Sequence, residues 1–322
     1  MNILITGGAG FIGSHLTEAL LEAGHSVIVA DNYSTSTPAN LDRVKGNSRL
    51  TVIEMDIVNE AEKIAELIKE SDAVFHLAAA VGVEMVVKNP VHTITTNVHG
   101  TENILTAAAK YRKRTIIAST SEVYGKSGNE KFSETDDLLI GSPYNSRWCY
   151  ASSKLLDEFY LMAFHREADL PGTVVRFFNT VGPRQTGRYG MVIPRFVAQA
   201  LKNEPLTVYG DGMQSRCFCH VADVVKALVL LLDNNESIGN IYNIGSQELV
   251  SIKQLAERVI AVTGSASEIK FLSYDEAYEQ GFEDMRRRYP NTEKLNKLTG
   301  WTPEFCLDDI IRDVAAELQR KK

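Results

Sequence analysis

The chain has 322 residues, 44% of them hydrophobic and 23% charged, with 34 basic against 41 acidic side chains for a net charge of −7. That is the composition of a globular protein rather than a fibrous or disordered one, and its length calls for two lobes around a cleft. No positive field exists to gather nucleic acid or acidic lipid. No apolar run approaches the roughly 20 residues a membrane helix needs.

Met1 and Asn2 lead straight into Ile3-Leu4-Ile5 without a signal-like segment, so a cytoplasmic protein is expected, with no nucleic-acid or membrane partner. The four cysteines, Cys149, Cys217, Cys219 and Cys306, are too few and too scattered for a disulfide framework, and reduced thiols are expected.

In chain order, short β-branched runs alternate with helical stretches: Asn2–Thr6, Ser26–Ala30, Leu50–Met55, Ala73–Leu77, Thr115–Ser119 and Thr173–Arg176. These read as parallel βαβ units, nearly continuous in apolar residues because helices cover both faces of such a sheet. The expectation is an α/β fold, a Rossmann-like doubly wound parallel sheet over residues 1–176. A smaller C-terminal α/β substrate-binding lobe is expected over 177–322, with part of 220–245 returning to the first domain. In that lobe Ser251 and Gln254 form a capping box, and Gly300 closes a helix ahead of Pro303.

Between the first run and the helical pattern Ser14–Glu22 stands Thr6-Gly7-Gly8-Ala9-Gly10-Phe11-Ile12-Gly13. Glycines let the backbone turn tightly against a pyrophosphate, and the helix N-terminus offers it unpaired N–H groups. Gly7, Gly10 and Gly13 are the preferred set. Asp31, 18 residues after Gly13, ends the second run where a carboxylate takes the adenosine ribose and repels a 2′-phosphate, so NAD is the expected cofactor. Asp56-Ile57 and Leu77-Ala78-Ala79 stand at further strand ends, where ligands collect in open α/β sheets.

Tyr150 and Lys154 are four residues apart, on one face of a helix. A neighbouring ammonium and the positive nicotinamide favour the phenolate, which would bring Tyr150 down from about 10 toward a working general base. Ser119-Thr120-Ser121-Glu122 comes after the fifth run, so Thr120 can hold a substrate hydroxyl while Tyr150 takes its proton. Cys217, Cys219 and His220 carry zinc-type donors, but no second ligand pair lies at finger spacing. On a strand the two cysteines would share one face with His220 on the other. No metal is expected.

These landmarks, with Asn32, Asn97 before Gly100-Thr101, and Phe178-Asn179 with Gly182-Pro183-Arg184, resemble the extended short-chain dehydrogenase/reductase family over nearly the whole chain. The resemblance is to its nucleotide-sugar epimerases, dehydratases and decarboxylases. It implies Thr120, Tyr150 and Lys154 as the catalytic group, joined by Ser121 and Glu122. Phe11, Ile12, Asn32, Asn97 and Ser119 join the cofactor site. Val83, Asn179, Arg188, Val192 and Tyr209 fall to a UDP-sugar, with Arg216 and Arg288 on its diphosphate, a role suited to bidentate guanidinium bonds. It also implies a homodimer through a four-helix bundle built from Thr93–Tyr111 and Tyr150–Arg166.

The shared chemistry is oxidation at sugar C4. Ser121-Glu122, where 4,6-dehydratases carry an Asp-Glu pair, disfavours dehydration. Ser121-Glu122 with Arg147 and Arg288 resembles UDP-glucuronate decarboxylases, whereas Ala78–Val83 through Asn89-Pro90 and Phe177–Gly182 resemble epimerases. The expectation places a UDP-glucuronate or UDP-glucose 4-epimerase first and a UDP-glucuronate decarboxylase second, with a non-catalytic NAD sensor on the same fold behind both.

Overall fold

The computed structural model describes residues 1–186, 191–273 and 285–320, the side chains of Val83 and Glu84 excepted. Its centre is a parallel sheet of β1 (Asn2–Thr6), β2 (Ser26–Asp31), β3 (Leu50–Glu54), β4 (Ala73–His76), β5 (Arg114–Thr120), β6 (Gly172–Phe177) and β11 (Asn240–Ile244). The strand order is β11-β6-β5-β4-β1-β2-β3. The order reverses at β1, which pairs with β2 on one side and β4 on the other.

Strand alternation divides the core between two faces. Ile3, Ile5, Val27, Val29 and Phe75 pack with Leu16 and Leu20 of α1 (Phe11–Glu22) and with Val224 and Leu228 of α7 (Val221–Leu232). Leu4, Val74, Ile117 and Val174 face the other way, against α2 (Ala61–Glu70), α4 (Pro90–Lys110) and α5 (Trp148–Ala168). A short helix, α3 (Val83–Lys88), leads into α4. Because α7 lies on α1 and β11 pairs with β6, residues 221–232 and 240–244 belong to the main sheet's layers although they come after the first lobe's strands in the chain.

The second lobe has its own core of Ile193, Phe196, Leu206, Val208, Leu255 and Ile310. It is built on α6 (Val192–Ala200), α8 (Ile252–Thr263), the helix Leu307–Arg320 and short strand pairs. β7 (Thr180–Val181) pairs with β10 (Cys219–His220), and β8 (Leu206–Tyr209) with β13 (Ile269–Leu272). β9 (Ser215–Cys217) lies between β12 (Leu249–Ser251) and β14 (Arg287–Arg288). The Ser251/Gln254 capping box is formed, and Gly300 closes its helix in the left-handed conformation.

Two local expectations change. α1 begins at Phe11 rather than Ser14, because Gly10 is extended and caps it with backbone alone. Cys217 and Cys219 end one strand and begin another instead of sharing one, and His220 caps α7 by accepting from Ala222 N–H. Both thiols are buried and free, and the described residues contain no group of side chains suited to a metal. No described helix is long and apolar enough to cross a membrane.

Two histidines are built into these layers in neutral form. Burial, aided by the Lys154 charge, lowers His76 on β4 from 6.5 to about 3. Burial lowers His15 on α1 to about 4, partly opposed by its contact with the Pro183 carbonyl. Below about pH 6.5 the unfolded chain therefore binds protons that the folded chain refuses. Stability is expected to fall with acidification by about 1.4 kcal/mol per pH unit for each ring, through the window between 6.5 and these folded values. Urea midpoints measured from pH 7 to pH 5 should drop accordingly, and His15→Gln should flatten the slope; an unchanged slope in that variant would contradict the account.

Candidate active site

At the C-terminal end of β1 the chain turns through Gly7, whose φ of 71° is left-handed, and Gly10 N–H bonds back to the Gly7 carbonyl at 3.0 Å. A Cβ on Gly13 would lie 2.1 Å from that carbonyl, and one on Gly7 would lie 2.8 Å from Ala78 N, so both positions require glycine. With no side-chain cap at Gly10, the first N–H groups of α1 are left for an anion. Asp31 ends β2 nearby. One of its oxygens accepts from Ala9 N–H at 2.9 Å, and the other from Tyr33 N–H at 2.9 Å and Ser36 Oγ at 2.8 Å. A glycine cradle at a helix terminus beside a fixed acid is a fit for NAD.

The same strand edge carries the second half of the site. Thr120 is the last residue of β5, and Ser121–Tyr124 continues as one 3-10 turn. The Thr120 hydroxyl accepts from Glu122 N–H at 3.2 Å and hydrogen-bonds the Tyr150 phenol. Tyr150 and Lys154 are both presented by α5. The Lys154 ammonium, however, donates to Asp157 at 2.7 Å, with both side chains buried. Within the protein itself the Tyr150 phenol is accordingly not lowered. Burial raises it, Glu122 and Asp157 raise it further, and the Thr120 bond and Arg288 only partly oppose them. Lys154 next door does not by itself make Tyr150 a base at neutral pH.

Glu122 stands between two guanidiniums, Arg288 at 3.2 Å and Arg147 at 3.7 Å, all three largely enclosed. Arg288, expected on the diphosphate, lies against the Glu122 carboxylate. Arg288 Nε and Ser121 Oγ are buried and meet no hydrogen-bond partner among the described residues.

One cavity of about 490 Å³ joins both halves. Its wall includes Asp31, Asn32, Asp56 and Ile57, with Gly7, Gly10, Phe11, Ile12 and Gly13. Leu77, Ala78, Ala79 and Ser119 also line it, with Thr120, Ser121, Glu122, Tyr150 and Lys154. Asn179, Val192, Tyr209, Arg216 and Arg288 line it as well. Asn97 is not in the wall. It braces from behind, accepting from Ala80 N–H at 2.8 Å and donating to Ser153 Oγ at 3.0 Å, and so ties the strand-end loop to α5. Arg188 and the Val83 side chain lie outside the described residues.

Three features went unassigned at the sequence level. Arg147, noted there only within a resemblance, is buried at the start of α5 against Glu122. Asp157 comes less than one turn after Lys154, a spacing that could have flagged it. Glu158 takes a bidentate contact from Arg176 on β6, at 3.0 and 2.7 Å, and also a bond from Ser119, so it stiffens the strand that delivers Thr120.

A doubly wound sheet with a glycine cradle, an acid at the end of the second strand and a Thr-Tyr-Lys group at one edge is the arrangement of a dinucleotide-dependent enzyme. Residues 3–245 match the NAD dependent epimerase/dehydratase family, and the chain belongs to it, with NAD as cofactor. It is 42% identical over 311 residues to a UDP-N-acetyl-alpha-D-glucosaminuronate decarboxylase of Bacillus cytotoxicus, covering 96% of this chain and 95% of that protein. It is 38% identical to UDP-glucuronic acid decarboxylase 1 of Xenopus tropicalis, over 95% of this chain and 69% of the relative. In structure it is similar to the UDP-glucuronic acid 4-epimerase of Bacillus cereus solved with UDP-glucuronic acid and NAD, with TM-score 0.89, 29% identity and 100% of each chain covered.

Gly13→Ala should displace the Gly7 turn. NAD affinity, read by calorimetric titration, is expected to weaken by at least about tenfold, as a 1–3 kcal/mol overpacking cost implies. Unchanged binding would mean that the cradle does not hold the pyrophosphate.

Proposed function

We propose that the chain is a decarboxylase of a UDP-linked uronic acid, either UDP-glucuronate or its 2-acetamido counterpart, rather than the 4-epimerase placed first from sequence. The observation that carries this reading is the cluster at the reacting end. Two guanidiniums face the single Glu122 carboxylate, and a buried Arg288 N–H and the Ser121 hydroxyl still lack partners among the described residues. A sugar carboxylate answers those needs through charge-assisted bonds, whereas a neutral hydroxymethyl group does not. The decarboxylase relatives, at higher identity than the epimerase neighbour, support the same choice.

NAD supplies the hydride acceptor at C4 and the donor for the closing reduction. Tyr150 takes the C4 hydroxyl proton while Thr120 holds the oxygen, which yields a ketone at C4 with the carboxylate on the adjoining C5. In this β-keto acid the C5–C6 bond breaks, CO2 leaves, and the electron pair passes into the C4 carbonyl as an enolate that is then protonated at C5. Arg288 and Ser121 orient the carboxylate before it leaves, Glu122 holds the Arg288 and Arg147 guanidiniums beside it, and the proton taken up at C5 is drawn from water. The Tyr150 proton returns to the C4 oxygen as the ketone is reduced.

A 4-epimerase acting on UDP-glucuronate remains the second reading, favoured by the full-length likeness to the Bacillus cereus enzyme. Incubation of the purified protein with each UDP-uronate and NAD, with products read by mass spectrometry and NMR, should give a pentose nucleotide lighter by one CO2. A product of unchanged mass with C4 inverted would instead establish the epimerase. Tyr150→Phe is expected to cut kcat by about 10²- to 10⁴-fold with the fold unchanged by circular dichroism.

Assembly belongs to the same proposal. Val91 and Ile94 on α4, and Leu156 and Phe159 on α5, are exposed apolar side chains at helical spacing on two helices packed side by side. Pairing of these helices with their copies makes a four-helix bundle, so Phe159→Glu should convert a dimer to a monomer in light scattering. An unaffected mass would place the contact elsewhere.

A further inference from the structure

Asp157 has no part in the chemistry above, yet its buried pairing with Lys154 is costly. Removing two charges from water takes several kcal/mol per ion, and only close, well-bonded geometry offsets it. The geometry is close, at 2.7 Å, with Asp157 fully buried. It also terminates a continuous polar line through the sheet. Thr6, the last residue of β1 before the glycine turn, contacts His76 Nδ1 at 2.7 Å, and His76 Nε2 contacts Thr101 Oγ1 on α4 at 3.0 Å. Thr101 stands next to the Asp157 carboxyl, whose Oδ2 takes the Lys154 bond while its Oδ1 is buried without a hydrogen-bond partner among the described residues. Asp157 thus lies where the polar line from the dinucleotide turn meets the ammonium.

We propose that Asp157 is a positioning residue for the oxidation step, holding the Lys154 ammonium along α5 and balancing its charge beside Tyr150. The proposal rests on the Tyr150/Lys154 assignment and is independent of the fate of the keto sugar once C4 is oxidised. A free ammonium one turn from the phenol would pull it toward phenolate, and a neutralised one does so far less. The groups that face the pair are few. From α5 itself come Asp157 and Glu158, the latter already matched by Arg176 of β6. From the turn after β5 comes Glu122, from β14 Arg288, and from β4 the neutral His76. Among these, Asp157 is the charge in direct contact with Lys154.

Asp157 favours protonated phenol, in agreement with its raising effect on Tyr150. Asp157→Asn removes that effect and frees the Lys154 ammonium of its partner, so the Tyr150 ionisation should move down. The pH profile of kcat/KM for UDP-glucuronate turnover is expected to move acidward, because a negative charge that opposed the phenolate has been removed. Asp157→Glu, which keeps the carboxylate, should restore the wild-type position. A readout independent of turnover is the ultraviolet difference titration of tyrosinate in the purified protein, with Tyr150→Phe in each background as the blank. The Tyr150 increment should appear at lower pH in Asp157→Asn.

A lower rate or lower melting temperature with an unmoved profile and unmoved tyrosinate titration would overturn the proposal and leave Asp157 a structural residue. If Asp157→Asn does not fold, Asp157→Glu and Thr101→Val decide the matter. Thr101→Val, which replaces the hydroxyl beside the buried carboxylate with a methyl group, should move the tyrosinate titration while Asp157→Glu does not, and no movement in Thr101→Val counts against the proposal. Failure of the underlying assignment looks different, because Tyr150→Phe would then retain full turnover.

Discussion

Everything in this molecule hangs on β1 pairing in parallel with β2 on one side and β4 on the other. Strand order reverses there, so the connections leaving β1 and β4 part company, and a crevice opens at the C-terminal edge. The glycine turn, Asp31, the Ala78–Ala80 loop and Thr120 all emerge along that edge, carried by β1, β2, β4 and β5. The close approach of Gly7 to Ala78 shows how tightly the crevice floor is drawn, since not even a methyl group fits between adjacent strand ends.

The site above this floor is organised by buried charge. Glu158 with Arg176, Lys154 with Asp157, and Glu122 with Arg288 and Arg147 are three clusters within one region, each partner at most about one-sixth exposed. Such pairs are poor sources of net stability, because desolvation cancels most of the attraction. They do prescribe geometry, since each charge tolerates only the arrangement in which its partner is present. The first stiffens the strand that presents Thr120, the second fixes the lysine, and the third joins the two lobes across the reacting end.

That third cluster is where the molecule differs from a plain C4 oxidoreductase. Glu122 lies just past the sheet's fifth strand, whereas Arg288 arrives from β14, 166 residues away in the chain. The second lobe therefore places a guanidinium against a carboxylate of the first. On the proposed reading a carboxylate-bearing substrate is the natural ligand of that arrangement, and this is what moved the functional reading from epimerisation to decarboxylation.

The sheet, the glycine cradle and the acid at Asp31 were determined by local sequence alone, because alternation, glycine spacing and strand-end position are properties of contiguous segments. Tyr150 and Lys154 were found in the same way, one helical turn apart. Their electrostatics were not, since a phenol's ionisation depends on every charge around it, and Asp157, Glu122 and Arg288 are brought to it by three different elements. Arg288 was read as a diphosphate ligand and, through a resemblance, grouped with Glu122 and Arg147, but its direct contact with Glu122 was not legible. Contacts between distant segments are created by packing the lobes together, and no local pattern encodes which charges that packing leaves side by side.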